Sequence, residues 1–583
     1  MNKIIKLILY KVKLIYLFIM GVPKFFAYLM KKFKKSNFIF QKETTPIESI
    51  DWFMIDTNCL IHPVCFKILA EEQIKEKINF KSLQNKMINV VIEYIEKIIT
   101  YANPTKGIYI AIDGPVACSK MKQQRQRRYK SVYDHEFFDK IKDKHNKEKL
   151  YYWTNSAISP GTKFMFKLHN KILDWCNTKT IELSKNNIKI IYSSANTNGE
   201  GEHKILQFIK NNQKNKINYS YLTYGLDADL IFLMLVVGQD NIYLLRESNE
   251  LDKNASKDQL NYVSLKIMRD CIYELFNKEP NNKEPNNNNN KNRIINDFIF
   301  LCYFLGNDFL PHLPALDINK NGIEYLINTY IIVFLEIKDY LLSKNKKNVN
   351  NNFLKMFLLK LGDDEESILT KNLNSHKYKP QCMSNDPYEK ELFRIDNLMF
   401  KIDDPIGLGV NSNYRNNYYK HYFDAENDEE FIKELVKQYL IGIKWVTLYY
   451  FYKIPDWHWY FPYNYPPLLS DISKYYVNIN EIKFKINKPM SSFEQLLMIL
   501  PPQSNFLLPK IFSKLIINSS FLVGYLYPTS IKIDYLYKKK YYEGIPLLPQ
   551  MEINSIIDIF KKYKNKLTDE EKIRNKSLKE FSF

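Results

Sequence analysis

Seven acidic residues stand at or just past the ends of short apolar segments, where carboxylates can do metal chemistry. They lie in FMIDTN, YIAIDG, GEGEHK, GLDADL and LGNDFLP and are Asp56, Asp113, Glu200, Glu202, Asp227, Asp229 and Asp308. One such residue alone is also typical of a helix cap or a solvated loop end, so the prediction depends on the whole set. If the segments meet, the carboxylates cannot all stay ionised unaided, because like charges repel.

Divalent cations would relieve that repulsion. Oxygen ligands without a Cys or His cluster favour Mg²⁺ or Mn²⁺. Two such ions stabilise both the attacking and the leaving oxygen when a phosphodiester is cleaved. The acidic set therefore predicts a two-metal hydrolase.

Four residues of the segment KMKQQRQRR, shortly after Asp113, fall on one face of a predicted helix. They are Lys120, Gln124, Arg127 and Arg128, at positions i, i+4, i+7 and i+8. One arginine guanidinium can donate two parallel hydrogen bonds to two oxygens of a phosphate, so such a face suits phosphate binding. A solvated basic face or a nuclear-localisation-like patch is the alternative.

The segment DWHWYFPYNYPP concentrates aromatic side chains, including Trp457 and Trp459. Its prolines exclude a long helix. Such rings can stack on nucleobases, although most of them are more typical of a structural cluster that holds a rigid loop. His62, six residues after Asp56, has the same two interpretations: a core or capping histidine, or one that stacks on a base or contacts phosphate.

The elements that would position these residues alternate between strand and helix over about residues 50–330. Buried strands are predicted at DWFMID, IYIAID, IKIIYSS, YLTYG and NIYLLRE. Helices are predicted at KSLQNKMINVVIEYIEKIITYA, TKFMFKLHNKILDWCN, GEHKILQFIKNN and NDFIFLCYFLG. This alternation predicts an α/β fold with a parallel sheet, in which ligands bind beyond the carboxyl ends of the strands.

The rest of the chain is less regular in sequence. The Asn-rich tract at 278–292 predicts a disordered loop. Weak patterning over 341–417 predicts an irregular linker, and mixed α and β signals return over 418–583.

Composition narrows the class of protein. The 583 residues include 84 Lys and Arg against 64 Asp and Glu, for a net charge of +20. This charge favours a polyanionic partner, although a Lys-rich surface without a special role is the alternative. The hydrophobic share of 45% excludes a fully disordered chain. Seven cysteines without a CxxC pair argue against a zinc site and favour an intracellular compartment.

Residues 1–19 form an apolar segment interrupted by four lysines. The uncharged runs are shorter than the roughly 18 residues of a membrane span, and no signal-peptide cleavage site follows. We predict no stable membrane association and interpret the segment as an extension upstream of a working start at Met20. A basic membrane-surface helix is the alternative.

In their order and spacing, these segments resemble the 5′→3′ exoribonuclease family. The resemblance rests on MGVPKFF, DTNCLIH, AIDG with KMKQQRQRR, NSAISPGTKFM, GEGEHKI, YGLDADLI, LLRE, FLGNDFLPHLP, WHWYFPYNYPPLLSDI, FEQLLMILPPQS and GIPLLP. It implies a PIN-like, flap-nuclease-type α/β catalytic core at 20–340. A second mixed α/β region at 418–583 would pack against this core and complete the active site.

The resemblance also implies an activity. Members hydrolyse single-stranded RNA with a 5′ monophosphate processively to nucleoside 5′-monophosphates, using two Mg²⁺ ions. The seven carboxylates match the family's metal positions, and Lys120, Gln124, Arg127 and Arg128 match its 5′-phosphate pocket. His62 matches a base-stacking histidine, with Trp457 or Trp459 as its partner across the base.

Two other classes of function stay open from the sequence. Structure-specific flap endonucleases act on DNA and share the order of the acidic motifs, but they lack the basic and aromatic segments. A non-catalytic RNA-binding relative would be expected to lose a metal carboxylate, and all seven are present. We also predict a monomer in the cytoplasm rather than the nucleus, and the sequence identifies no protein partner.

Overall fold

The computed structural model describes residues 25–41, 49–72, 79–149, 153–247, 259–276, 288–374, 380–517 and 524–583. Its strands are β1 (Ile39–Phe40), β2 (Trp52–Asp56), β3 (Gly107–Ala111), β4 (Lys189–Ser193), β5 (Tyr221–Tyr224), β6 (Ile242–Glu247), β7 (Leu260–Ser264), β8 (Lys532–Asp534), β9 (Ile545–Leu547) and β10 (Phe581–Ser582). The predicted segment at residues 1–19 lies outside the described residues.

Helices surround the strands throughout the chain. Those of the first half are α1 (Phe25–Lys32), α2 (Asn58–Glu72), α3 (Phe80–Ala102), α4 (Cys118–Lys144), α5 (Lys163–Leu183), α6 (Gly201–Lys214), α7 (Ala228–Val237), α8 (Leu265–Phe276) and α9 (Asn288–Cys302). Those of the second half are α10 (Gly322–Ile337), α11 (Asn351–Asp363), α12 (Glu365–Asn374), α13 (Pro387–Asp396), α14 (Tyr414–Phe423), α15 (Glu429–Phe451), α16 (Leu469–Lys474), α17 (Ser492–Ile499), α18 (Lys510–Ile517), α19 (Ile553–Tyr563) and α20 (Asp569–Arg574). No helix of the described ranges has the length and apolar character needed to cross a bilayer.

Eight strands form one sheet in the order β1-β7-β6-β5-β2-β3-β4-β10. The five central strands, β2 to β6, run parallel. The pairs β1/β7, β6/β7 and β4/β10 are antiparallel. Asp56 faces Ala111 across β2 and β3, and Ala111 faces Ser193 across β3 and β4. The carboxyl ends of these three strands are therefore level with one another.

The central strands are buried on both faces, which explains their continuous apolar sequences. Along β2, Trp52 and Met54 enter the hydrophobic cluster that contains α6 to α9. Phe53 and Ile55 enter a second cluster with α2, α3 and α5 on the opposite face. The five predicted strands are β2 to β6, and the predicted helices correspond to α3, α5, α6 and α9. The predicted α/β class with a mostly parallel sheet is confirmed.

The second half of the chain is mostly helical rather than evenly mixed. Its described strands outside the main sheet are β8 and β9, which form a two-stranded ribbon. The prediction of an irregular linker over 341–417 is wrong for α11, α12 and α13, which lie within it. Asn350 and Asp386 cap the first turns of α11 and α13 with their side chains, so polar residues that are typical of loops here begin helices.

The Asn-rich tract divides in two. Residues 278–287 lie outside the described residues, whereas 288–292 form the first turn of α9. The prediction of a loop over the whole of 278–292 is therefore wrong for its last part.

Candidate active site

Six of the seven predicted carboxylates follow four adjacent strands of the sheet. Asp56 is the last residue of β2, and Asp113 lies just beyond β3. Glu200 and Glu202 flank the start of α6, which follows β4, and Asp227 and Asp229 flank the start of α7, which follows β5. The seventh, Asp308, comes from the turn after α9. All seven thus lie at the carboxyl edge of the parallel strands, where α/β folds bind their ligands.

A glycine allows two of these strand ends to approach α6 closely. The Gly201 N–H donates a 2.7 Å hydrogen bond to Asp113 Oδ1. A Cβ added to Gly201 would lie 2.8 Å from Asp56 Oδ1. Asn58 holds the other side of Asp113, because its Nδ2 donates to Asp113 Oδ2 at 2.7 Å. The backbone therefore brings Asp56 and Asp113 against the first turn of α6.

Burial and mutual repulsion disfavour ionisation of the clustered carboxylates. Burial and the charge of Asp113 raise the pKa of Asp56 to about 8. Burial and the charge of Asp308 raise the pKa of Asp227 to about 6. Burial, with Asp227 as the next cause, also raises the pKa of Glu202 well above its usual value. A group of acids in this state needs positive charge nearby to stay ionised at neutral pH.

Lys120 supplies part of that charge from within the cluster. Its Nζ lies 2.5 Å from Glu200 Oε2 and 2.5 Å from Asp308 Oδ2. Burial lowers the pKa of Lys120, but the charges of Asp308 and Glu200 outweigh burial and hold this pKa well above its usual value. Lys120, predicted to line a phosphate pocket, therefore neutralises two carboxylates in this structure.

The carboxylates fit a divalent cation by their chemistry. Asp56 Oδ1 and Glu202 Oε2 are buried and accept no hydrogen bond from the described residues. Unpaired carboxylate oxygens of this kind suit a hard cation. Within the described part of the chain, no three Asp, Glu, His or Cys side chains converge as a ready coordination sphere. The Lys120 ammonium stands among them instead.

Two of the remaining members of the predicted basic face, Arg127 and Arg128, act electrostatically on His62. Arg128 is buried and donates from Nη2 to Ser159 Oγ at 2.7 Å. Gln124 accepts a 3.1 Å hydrogen bond from Gln495. Burial, followed by the charges of Arg127 and Arg128, lowers the pKa of His62 well below its usual value. The imidazole of His62 thus lies within reach of the charges of two guanidinium groups.

The aromatic segment docks on the opposite face of α4. The Cys118 N–H at the start of α4 donates to the Trp457 carbonyl at 2.8 Å. Lys122 Nζ donates to the Phe461 carbonyl at 2.9 Å. Trp457 and Trp459 are both half-buried. A cleft of about 540 Å³ opens beside Lys122 and the aromatic segment, and none of the seven carboxylates lines it.

The structure adds residues to the site that the sequence analysis missed. The Tyr449 hydroxyl on α15 donates a 2.8 Å hydrogen bond to Glu200 Oε1. The Cys59 thiol donates to Asp56 Oδ2 at 3.0 Å. Cys59 adjoins the recognised acidic motif and could have been found from it. Tyr449 lies 249 residues from Glu200, and no local pattern marks it.

Comparison with known proteins places this site in a family. Residues 20–248 match the model described as XRN 5′-3′ exonuclease N-terminus. Residues 288–401 and 387–583 match the model described as Xrn1 helical domain.

Curated relatives extend over nearly the whole chain. The 5′-3′ exoribonuclease 1 of Homo sapiens is 28% identical over 95% of this chain and 35% of its own length. The 5′-3′ exoribonuclease 2 of Debaryomyces hansenii is 26% identical over 97% of this chain and 72% of its own. The 5′-3′ exoribonuclease 1 of Saccharomyces cerevisiae is 28% identical, and this chain spans 44% of its length. On these matches, the chain belongs to the XRN family of 5′-3′ exonucleases.

Proposed function

We propose that this chain is a 5′→3′ exoribonuclease that degrades single-stranded, 5′-monophosphorylated RNA processively to nucleoside 5′-monophosphates. The observation that carries the proposal is the cluster of seven carboxylates at the carboxyl edge of β2 to β5. Helix α4 contributes Lys120 to this cluster and carries Arg127 and Arg128, whose charges act on His62. Membership of the XRN family supports the same activity. Neither a DNA flap endonuclease nor a non-catalytic RNA-binding protein is favoured by the relatives' names.

The carboxylates are the residues that would hold divalent metal, for which we propose two Mg²⁺ ions, with Mn²⁺ as a substitute. When bound, such ions supply charge neutralisation and an activated water for phosphodiester hydrolysis. The chain itself contributes the preorganised positions of the ligands. Asn58 and Gly201 fix Asp113, and Tyr449 fixes Glu200.

The face of α4 that carries Gln124, Arg127 and Arg128 would bind the terminal phosphate. Paired guanidinium groups recognise the shape and charge of a phosphate monoester, so a 5′ hydroxyl would bind weakly and a cap would not fit. The ring of His62 would stack on the first base. A tryptophan of the aromatic segment, Trp457 or Trp459, would cover the other side of that base.

Degradation of end-defined substrates tests the proposal. Three 3′-labelled RNAs of one sequence would carry a 5′ monophosphate, a 5′ hydroxyl or a cap, and a branched DNA flap would be a fourth substrate. With Mg²⁺ present, we expect rapid loss of the monophosphate RNA alone, without long intermediates. Equal cleavage of all three RNAs would contradict the phosphate pocket, and cleavage of the flap alone would indicate the endonuclease.

Two variants assign the roles of the residues. Asp227→Ala should abolish cleavage while RNA binding persists, because it removes one of the clustered carboxylates. Arg127→Ala should reduce the preference for a 5′ monophosphate over a 5′ hydroxyl. Lys140→Ala is the matched control, since Lys140 lies on the same helix but is exposed. If the unaltered protein and Asp227→Ala bind RNA equally well and neither cleaves it, the chain belongs to the non-catalytic class.

We further propose a monomer that acts in the cytoplasm. All seven cysteines are free thiols, six of them buried, which agrees with a reducing compartment. Analytical ultracentrifugation and microscopy of the tagged protein would test the two statements separately.

A further inference from the structure

Four aromatic rings form a continuous stacked column beside the carboxylates. His203 of α6 stacks on Tyr449 with centroids 4.5 Å apart and planes at 16°. Tyr449 stacks on Trp445 at 5.3 Å and 12°. Trp445 stacks on Trp459 of the aromatic segment at 5.4 Å and 27°. The column therefore runs from α6, which Glu200 directly precedes, to one of the two candidate base-stacking tryptophans.

One end of the column holds a metal-site carboxylate in orientation. The Tyr449 hydroxyl donates to Glu200 Oε1 at 2.8 Å, while Lys120 contacts Glu200 Oε2. His203 Nε2 lies 3.0 Å from the Tyr449 carbonyl, to which it donates. Tyr449 is buried to 1% exposure, so both its ring and its backbone are fixed. Glu200 is consequently held at both oxygens, Oε1 by Tyr449 and Oε2 by Lys120.

The other end holds the backbone beneath Trp459. The Trp445 Nε1–H donates to the Asp456 carbonyl at 2.9 Å. The Asp456 carboxylate accepts the N–H groups of His458 and Trp459, at 2.8 and 3.1 Å. The residue that supports the ring of Trp459 thus also anchors the turn that carries it.

A glycine makes this packing possible. Gly442 lies three residues before Trp445 and seven before Tyr449, on the same face of α15. A Cβ at Gly442 would lie 2.5 Å from a Leu310 methyl and 3.0 Å from the Trp459 ring. The close approach of α15 to Trp459 therefore depends on the absence of a side chain.

We propose that Tyr449 and Trp445 are positioning residues that hold a metal-binding carboxylate and a base-stacking ring in one fixed relation. The proposal rests on the proposed function, since it assigns Glu200 to the metals and Trp459 to the first base. It follows that metal binding and stacking of the 5′ base are energetically coupled through α15. Removal of a residue that hydrogen-bonds to a metal ligand commonly weakens metal binding by tenfold or more.

Tyr449→Phe tests the metal end of the column, because it keeps the ring and removes the hydroxyl. Mg²⁺ binding to the RNA-free protein would be measured by calorimetry, and the Mg²⁺ dependence of degradation by kinetics. We expect about tenfold weaker Mg²⁺ binding and a matching rise in the Mg²⁺ concentration that gives half-maximal degradation. Tyr439→Phe is the matched control: a buried tyrosine on the same helix whose hydroxyl donates to the Pro311 carbonyl. It should leave both measurements unchanged.

Trp445→Phe and Trp445→Leu test the other end. RNA with 2-aminopurine as its 5′ base would report stacking by fluorescence quenching, with Ca²⁺ replacing Mg²⁺ to prevent cleavage. In the unaltered protein, Ca²⁺ should deepen the quenching. Trp445→Leu should abolish the effect of Ca²⁺ on the quenching. Trp445→Phe, which keeps a ring, should retain most of that effect.

The outcomes separate this proposal from the function on which it rests. Mg²⁺ affinity unchanged in Tyr449→Phe, or Ca²⁺-dependent quenching unchanged in Trp445→Leu, would overturn the positioning role while leaving the exoribonuclease intact. Unaltered protein that neither binds Mg²⁺ nor degrades RNA would overturn both. Circular dichroism of each variant would confirm that the fold is retained.

Discussion

Among the single residues of the site, Lys120 is the one that balances the charge of the carboxylates. Its ammonium contacts Glu200 and Asp308, and the three side chains are buried together. A buried ion pair contributes little net stability, but removal of one partner leaves an uncompensated charge. Lys120 and divalent metal ions would therefore neutralise the same carboxylates. The charge of Lys120 matters most when no metal is bound.

Lys120→Met should destabilise the metal-free protein by about 3–5 kcal/mol, because Glu200 and Asp308 lose their buried counter-ion. Mg²⁺ should recover much of this loss, since it neutralises the same carboxylates. Urea denaturation in EDTA and in Mg²⁺ would measure both values. Lys140→Met is the control, and an equal loss in the two buffers would contradict the account.

Asp56 gives the metal-free protein a distinctive pH dependence. Its pKa is raised to about 8 by burial and by Asp113, whereas in the unfolded chain it is about 3.9. At a pH between these two pKa values, Asp56 is ionised in the unfolded chain but still protonated in the native state. The contribution of Asp56 to stability is therefore complete below about pH 4 and declines by at most about 1.4 kcal/mol per pH unit up to about pH 8.

Asp56→Asn, which cannot titrate, isolates that effect. Relative to this variant, the unaltered protein in EDTA should lose stability as the pH rises from 5 to 8. Denaturation midpoints at each pH would measure the difference. Parallel pH profiles for the two proteins would show that Asp56 is already ionised in the native state.

At the scale of elements, α4 works through two faces. One face carries Lys120, Gln124 and Arg128 to the site. The other carries Lys122, whose half-buried amino group donates to the carbonyls of Phe461 and Tyr463. Burial lowers the pKa of Lys122 to about 7. One helix thus fixes the aromatic segment relative to the carboxylates.

Lys122→Met should loosen the aromatic segment without changing the metal site. Two hydrogen bonds to carbonyls are lost, each contributing about 1 kcal/mol. We expect weaker binding of the 5′ end of RNA and unchanged Mg²⁺ affinity, measured by fluorescence anisotropy and calorimetry. Weaker Mg²⁺ binding would indicate that the two faces of α4 are not independent.

The sequence allowed prediction of the elements whose environment is repetitive. Strands β2 to β6 are buried on both faces, so each appears as an apolar run. The edge strands β1 and β10 have two residues each, too few to form a pattern. Helix α11 was missed because the Asn-rich stretch before it is typical of loops, although Asn350 in fact caps the helix.

The same contrast holds for the site. The convergence of the seven carboxylates was predictable because they lie at or past the ends of predicted apolar segments. The positions of Lys120 and Tyr449 were not, because each depends on contacts between elements distant in sequence. Lys120 meets Asp308 across 188 residues, and Tyr449 meets Glu200 across 249.

At the scale of the whole molecule, both halves of the chain share one hydrophobic cluster, which runs from Phe25 in α1 to Leu536 beyond β8. The final segment adds a second connection. The Leu578 N–H donates to the Asn196 carbonyl, and Asn196 Nδ2 donates to the Lys576 carbonyl at 2.8 Å. The loop that leads to Glu200 is therefore held by the far end of the chain.

Deletion of residues 577–583 should consequently affect stability and activity together. Each backbone hydrogen bond lost from β10 and its approach contributes about 1 kcal/mol. The loop before Glu200 loses the hydrogen bond from the Leu578 N–H, while its contacts with the Arg574 and Lys576 carbonyls remain. Thermal unfolding and RNA degradation would measure the two effects. Ser582→Ala, which keeps the backbone bonds, should behave as the unaltered protein; full activity of the deletion would show that Asn196 needs no such contact.

The pairing of β10 with β4 also has a consequence for biosynthesis. β4 leaves the ribosome long before residues 581–582 are translated, so one edge of the sheet has no strand partner while the intervening chain is made. An open strand edge is a template for pairing with other chains. During translation, the segment Lys189–Ser193 is therefore the part of this sheet edge that most needs protection by a chaperone.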